Sequence, residues 1–384
     1  MKILQSLFFI IFICPFLFSC SAFWEKDNTP TPSPLAQFEP KIKPRPLWNT
    51  RVYFGMNHED LKFNPVIRHD DILIVSQSGT ITSVNKNTGK IQWTRQLDTT
   101  VSSGIAVNDQ LLVVGTKNGE VIALSALDRR QLWTANTHSE ILATPALSSN
   151  LVIVKSIDGK VSAFSSSDGQ LLWRHQEVEP SLILRSASTP QLLPKAVVVG
   201  YANGKVEKLA LKDGHAIWTQ AVATAEGAFA IQRMIDIDAD PVILNNHVFA
   251  ATYQGKIVGL RLDTGTIFWN HDLSSYTGIA VDASRVYVSD AKSHIWAFDQ
   301  HNGQLVWKQT ELTYRRITGP VLMGSYLVVG DAEGVLHWLD TKDGSLVGRS
   351  QISGTAITAK PVVSNKSIYT ITRDGYLTAH SMDS

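Results

Sequence analysis

Cysteine is almost missing from this chain: its 384 residues hold two, Cys14 and Cys20. So few exclude a disulfide framework and a thiolate metal centre. An excess of one charge is missing too, since 35 Lys and Arg stand against 34 Asp and Glu. Nucleic-acid binding normally needs a basic face, and long-range steering needs a net field, so neither is expected. Helical periodicity is absent. So are G-x-S-x-G, the P-loop, G-x-G-x-x-G and H-E-x-x-H, and the eleven His are dispersed without metal-ligand spacing. The run Asp236-Ile-Asp238-Ala-Asp240 opens like a calcium loop, but Pro241 stands where Gly is required and His247 where the closing Glu belongs. The residues therefore point away from an enzyme, a metal site and a bound cofactor.

What is present begins with one apolar run. Ile3 to Phe18 carries no charge and follows Lys2; it is about sixteen residues long, short of the roughly twenty that span a bilayer as a helix. It ends in Leu17-Phe18-Ser19-Cys20, which resembles the bacterial lipobox L-x-[AGS]-C. That resemblance implies removal of residues 1–19 as a signal peptide and lipidation of Cys20 on its sulfur and amine; an ordinary signal peptide with an incidental Cys20 is the alternative. Ser21, not Asp, follows, which by analogy with bacterial sorting favours the outer membrane. Cleavage would take Cys14 and Lys2 with it, leaving 34 basic and 34 acidic residues. Residues 20–45 then form the lipidated Cys and a Pro-rich tether, with Pro30, Pro32, Pro34, Pro40 and Pro44 and no apolar period. Such a segment stays extended at about 3.1 Å per residue.

From residue 46 to 384 the chain repeats. A Gly or Ser opens a strand at Gly79, Gly119, Gly159, Gly204, Gly255, Ser293, Gly334 and Gly375, eight times at intervals of 38 to 51 residues. A turn and then a Trp follow most copies. Asn87-Thr-Gly89, Ser167-Asp-Gly169, Lys212-Asp-Gly214, Asp263-Thr-Gly265, His301-Asn-Gly303 and Lys342-Asp-Gly344 are such turns, as tight hairpins require. Arg129 replaces the Gly once. The Trp series is Trp93, Trp133, Trp173, Trp218, Trp269 and Trp307, with Gly348 in the seventh place. A β-rich run precedes each Gly phrase, and before that comes a strand often opened by Pro, which there costs no ladder bond. Four short strands in about forty residues predict an all-β protein: an eight-bladed β-propeller of four-stranded antiparallel blades.

The ends predict closure. The last unit stops after its third strand, while Pro46-Leu-Trp48 is a Trp strand with no three strands before it. The N-terminal strand should therefore pair with the C-terminal blade. The recurring tryptophans read as blade-to-blade packing, each covering roughly 150–250 Å².

The repeat, a D-x-x-T-G-x-x-x-W-like phrase, resembles that of the pyrroloquinoline quinone (PQQ) enzymes. Those dehydrogenases are longer and carry a calcium site and a vicinal Cys pair that this chain lacks; the shared repeat implies the fold and not the activity. A quinoprotein-like dehydrogenase and a periplasmic propeller that binds a ligand or peptidoglycan in its channel remain the alternative readings. Lipobox, Pro-rich tether and eight such blades together resemble the BamB family, propeller lipoproteins of the outer-membrane β-barrel assembly machinery. Two phrases sharpen the likeness: Ser181-Leu182-Ile-Leu184-Arg185-Ser-Ala-Ser-Thr-Pro190, similar to the family's S-L-x-L-R-x-x-S-x-P, and Arg233-Met-Ile-Asp236-Ile-Asp238-Ala-Asp-Pro241, similar to its R-x-x-D-x-D-x-x-P. The resemblance implies a non-catalytic scaffold at the periplasmic face of the outer membrane. Its implied partners are the periplasmic domains of the insertase BamA, other Bam subunits and nascent outer-membrane proteins.

Spacing leads to the same two loops. From the repeat Trp, or Gly348 in its place, to the strand-opening Pro takes 12 or 13 residues in three units, but 17 from Trp173 to Pro190 and 23 from Trp218 to Pro241. Long loops on a rigid scaffold are where binding tends to sit. Trp48 to Pro65 also takes 17, so length alone does not single them out. Leu182, Leu184, Arg185, Asp236 and Asp238 are accordingly the candidate partner-binding residues. The leucines either anchor a partner or pack inward. The aspartates either orient Arg185 or meet a basic group on the partner.

Overall fold

The computed structural model describes residues 29–53, 61–184 and 188–382. Cys20 lies outside them. Eight four-stranded antiparallel sheets follow one another, and the described helical structure is a single 3-10 turn, Ala230–Arg233. The third blade shows the pattern, with strands Ala146–Leu147, Leu151–Lys155, Lys160–Ser165 and Leu171–Gln176 in order from axis to rim. Its second and third strands lie between neighbouring blades, so both faces are covered and Val152, Ile153, Val154, Val161, Ala163 and Phe164 are all buried. The rim strand has one covered face: Trp173 is buried while Leu171, Leu172 and Arg174 are exposed. The apolar core therefore sits in the seams. Between the fourth and fifth blades, for example, Val198 and Val206 meet Val248, Ala250 and Val258 under Trp218.

The ring closes as expected. Arg45–Arg51 is the fourth strand of the last blade, antiparallel to Tyr376–Ser381, with Trp48 opposite Ala379 and Arg51 opposite Tyr376. The first strand of the first blade, Val66–Arg68, touches those of the last and second blades, Val362–Ser364 and Ala106–Val107.

One contact recurs from blade to blade. In six of the eight blades the rim Trp lies on the turn Gly of the next, and its indole N–H donates to a carbonyl beside that turn. Trp133 bonds Ser166 (2.9 Å), Trp173 bonds Leu211 (2.8 Å), and Trp218, Trp269 and Trp307 bond Leu262, Gln300 and Thr341 (each 3.0 Å). Trp48 does the same to Lys86 across the closure (3.0 Å). Gly is needed at this turn twice over. At Gly214 φ is +74°, and a Cβ would stand 2.4 Å from the Trp173 ring. Arg129, the exception, adopts φ +64° itself and lays its guanidinium 4.9 Å from the Trp93 ring centre, so a cation–π contact stands where the Gly contact would be.

The seventh blade has no Trp at the rim, and the eighth has no hairpin turn to receive one, since its fourth strand is Arg45–Arg51. In the seventh the large and small partners exchange strands: Trp338 is opposite Gly348 and fully buried, whereas elsewhere Ala163 faces Trp173 and Ala297 faces Trp307. The space beside Gly348 is taken by Ile42, which a Cβ at that glycine would meet at 2.6 Å. Residues expected as free tether thus differ from that expectation: Pro32 to Ser384 is one compact unit. The Ser33 and Lys41 amides donate to Thr313 and Val347 carbonyls (2.9 Å each), and Arg315 and Arg349 hold the Ser33 and Ala36 carbonyls (2.9 and 3.0 Å). Prolines that cannot complete a ladder still allow an extended strap, anchored by the amides between them.

Candidate partner-binding site

The two long connections, from the third to the fourth blade and from the fourth to the fifth, run side by side on one rim. A hydrogen bond ties them together: the Leu184 amide donates to Asp236 Oδ1 at 2.8 Å. A second runs from the Thr189 amide to Asp240 Oδ1 at 2.7 Å. Leu182 is 43% exposed and lines a groove of about 410 Å³ between the loops, with Val178, Arg233 and Ile235 on its walls. Leu184 is half-buried at the mouth of the central channel. Arg185 lies outside the described residues. Asp236 and Asp238 are buried, at 1% and 2% exposure, so neither presents its carboxylate to a partner in this arrangement. Of the three aspartates in this run, Asp236 and Asp240 each accept an amide of the neighbouring loop.

Beneath the loops lies a buried charged floor. Lys155, from the second strand of the third blade, donates to the Gly200 carbonyl at 2.5 Å and sits 5.3 Å from the Tyr201 ring centre. Burial pushes its ammonium below the ordinary lysine range, against the attraction of Glu179, Asp238 and Asp236. Burial likewise raises Glu179, whose two oxygens accept the Ala202 and Asn203 amides at 3.2 and 3.1 Å. Asp236 is pushed up to about 7, first by burial and then by Asp238, with the Leu184 amide pulling the other way. Glu179 ties the first loop to the fourth blade, and the Ile237 amide ties the second through the Tyr201 carbonyl at 3.1 Å, so the exposed leucine is offered on a fixed support.

Sequence reasoning passed over Lys155, Glu179, Phe229 and Ile231. Lys155 was findable: second strands otherwise end in Val75, Gly115, Gly200, Ala251, Ser289, Gly330 or Ile371, and it alone is charged there. Phe229 and Ile231, 68% and 63% exposed on the 3-10 turn and its cap, belong to no repeat phrase and gave no signal.

Fold and site together define a propeller of the PQQ-like repeat class that presents an apolar rim patch on a rigid floor. Within that class the chain belongs to the BamB family. A family model described as outer membrane protein assembly factor BamB matches residues 77–309 and 297–384. Outer membrane protein assembly factor BamB of Legionella pneumophila is 42% identical over 355 residues, 92% of each chain. Its namesake from Escherichia coli is 31% identical over 369 residues, 94% of each. The crystal structure of BamB from Moraxella catarrhalis superposes with a TM-score of 0.78 at 28% identity, covering 87% of this chain and all of that one. Quinohemoprotein alcohol dehydrogenase from Comamonas testosteroni matches with a TM-score of 0.71 at 12% identity, a likeness of fold alone.

Proposed function

We propose that this protein is a non-catalytic scaffold subunit of the outer-membrane β-barrel assembly complex. It is anchored through a lipidated Cys20 to the periplasmic face of the outer membrane. Through Leu182, Leu184 and Arg185 it binds the periplasmic domains of a BamA-type insertase, with Asp236 and Asp238 as positioning residues beneath. One observation carries the reading: in a chain of the BamB family, the two loops that bear the candidate residues are joined by the Leu184 amide and Asp236. Burial of both aspartates favours their acting within the protein over meeting a basic group outside it.

Leu182→Glu and Arg185→Glu should each abolish co-purification with BamA from detergent extracts, a loss of at least about 2 kcal/mol for a hot spot. Their melting should stay normal, since substitutions in exposed loops usually shift stability by no more than about 0.5 kcal/mol. Retained binding, or lost binding that follows lost folding, would overturn the assignment. For the anchor, Cys20→Ala should yield an uncleaved or soluble form. Its persistence in the outer-membrane fraction through an acyl chain elsewhere would remove Cys20 from this role.

A further inference from the structure

The connections that enter the first, fifth, sixth, seventh and eighth blades converge on a cavity of about 660 Å³ at the mouth of the central channel. That volume lies within the range of small-molecule sites. Two half-buried lysines sit in its wall: Lys62 ahead of the first blade and Lys360 ahead of the eighth. Lys62 Nζ donates to the Asp238 carbonyl, and Lys360 Nζ to the Ile279 carbonyl at 3.0 Å. Among the described residues neither lysine forms an ion pair. Backbone carbonyls orient an ammonium but leave its charge unneutralised, and each lysine keeps two of its three donors for something else. The two are close enough to oppose each other: burial lowers Lys360 most, Asp240 counters it, and Lys62 lowers it further. Arg316 also lines the cavity, with a backbone φ of +51° that is uncommon for so large a side chain.

Apolar and aromatic residues share this wall with Asp238, Asp240 and Arg373. Tyr253 and Tyr276 meet edge to face with centroids 6.2 Å apart, beside Ile279, Ile317 and Ile357. We propose that the channel mouth is a binding site for a carboxylate carried next to an apolar or aromatic group, with Lys62 and Lys360 as the paired donors. The four free N–H groups match the acceptor sites of one carboxylate. A phosphate dianion suits the place less well, because Asp238 and Asp240 line the same wall and repel each added negative charge. The carboxylate could belong to a chain terminus or to an acidic side chain of an extended polypeptide; both offer the same group to the lysines. Leu184, Asp238 and Asp240 of the two long loops share this wall, whereas both lysines lie outside those loops.

Calorimetric titration of the purified mature protein tests this with two probes and their neutral controls. N-acetylphenylalanine imitates a chain terminus, and the amide-capped dipeptide acetyl-Phe-Asp-NH2 imitates an acidic side chain. At least one acid should bind at least tenfold more tightly than its uncharged counterpart, N-acetylphenylalaninamide or acetyl-Phe-Asn-NH2. Whichever binds identifies the source. Lys62→Met and Lys360→Met should each weaken that binding at least tenfold, and inorganic phosphate should compete poorly. Equal binding of acid and neutral probe, or no binding of either acid, would overturn the proposal without recourse to any variant. Unchanged affinity in both folded lysine variants would overturn it as well.

Discussion

Two buried titratable groups give stability opposite slopes with pH. Burial pushes His380 down to about 4, from an ordinary value of 6.5. Its unfolded form takes up a proton between those values while the folded form does not, so this contribution is present above about 6.5 and is lost as pH falls toward 4. Asp236 runs the other way. Its folded value of about 7 lies above the ordinary 3.8, so the stability it confers below about 4 is lost as pH rises to about 7. Over the shared window the two partly cancel in the wild-type protein. Asp236→Asn should therefore make the protein more acid-labile, and His380→Leu less so, by up to a few kcal/mol between pH 7 and pH 4. Urea denaturation at fixed pH values measures both; parallel stability profiles for the two variants would remove these residues from the account.

Among the elements, the tryptophan on its neighbour's turn is the repeated unit of blade cohesion. Trp173→Ala should cost about 3–5 kcal/mol, as for other buried aromatics. Gly214→Ala should cost more than the 1–2 kcal/mol of a left-handed backbone, because its Cβ would lie 2.4 Å from that indole. With Trp173 already removed, the glycine change should fall back to about 1–2 kcal/mol. A double-mutant cycle in denaturant reads this coupling, and strict additivity would mean that ring and turn do not bear on each other. At the exceptional turn two small effects oppose: Arg129→Gly relieves the backbone but forfeits a cation–π contact of about 0.5–1 kcal/mol. Net stability there should change by less than about 1 kcal/mol.

The whole molecule depends on joining its two ends. Deleting residues 45–51 removes the fourth strand of the last blade and should lower the melting temperature furthest. Deleting 32–44 uncovers Gly348 and frees Arg315 and Arg349 from the Ser33 and Ala36 carbonyls, an intermediate loss. Deleting 21–31 should leave melting unchanged. Differential scanning calorimetry ranks the three, and equal melting for the first and last would refute closure by the N-terminal strand.

Much of this was legible residue by residue. Blade number follows from eight phrases, seven opened by Gly and one by Ser293, and the closing strand follows from Trp48 at one end against a missing fourth strand at the other. Both are local patterns with fixed spacing. The docked strap was not legible, because Pro30 to Pro44 carries no period. The amides of Ser33 and Lys41 find their acceptors, the Thr313 and Val347 carbonyls, only about three hundred residues away in the chain.

Composition and period alone determine that this is an all-β propeller of eight blades, since alternation and turn chemistry act over a few residues. They also mark out the two long loops. Which of their residues face solvent was decided only by tertiary structure. Leu182 and the two aspartates are equally eligible as contact residues in the sequence; in the fold, Leu182 stands in the open while Asp236 and Asp238 are covered. The physical reason is that burial depends on what packs above a residue. Here that covering is supplied by a neighbouring loop, drawn down by the bond from Leu184 to Asp236 across fifty-two residues of chain.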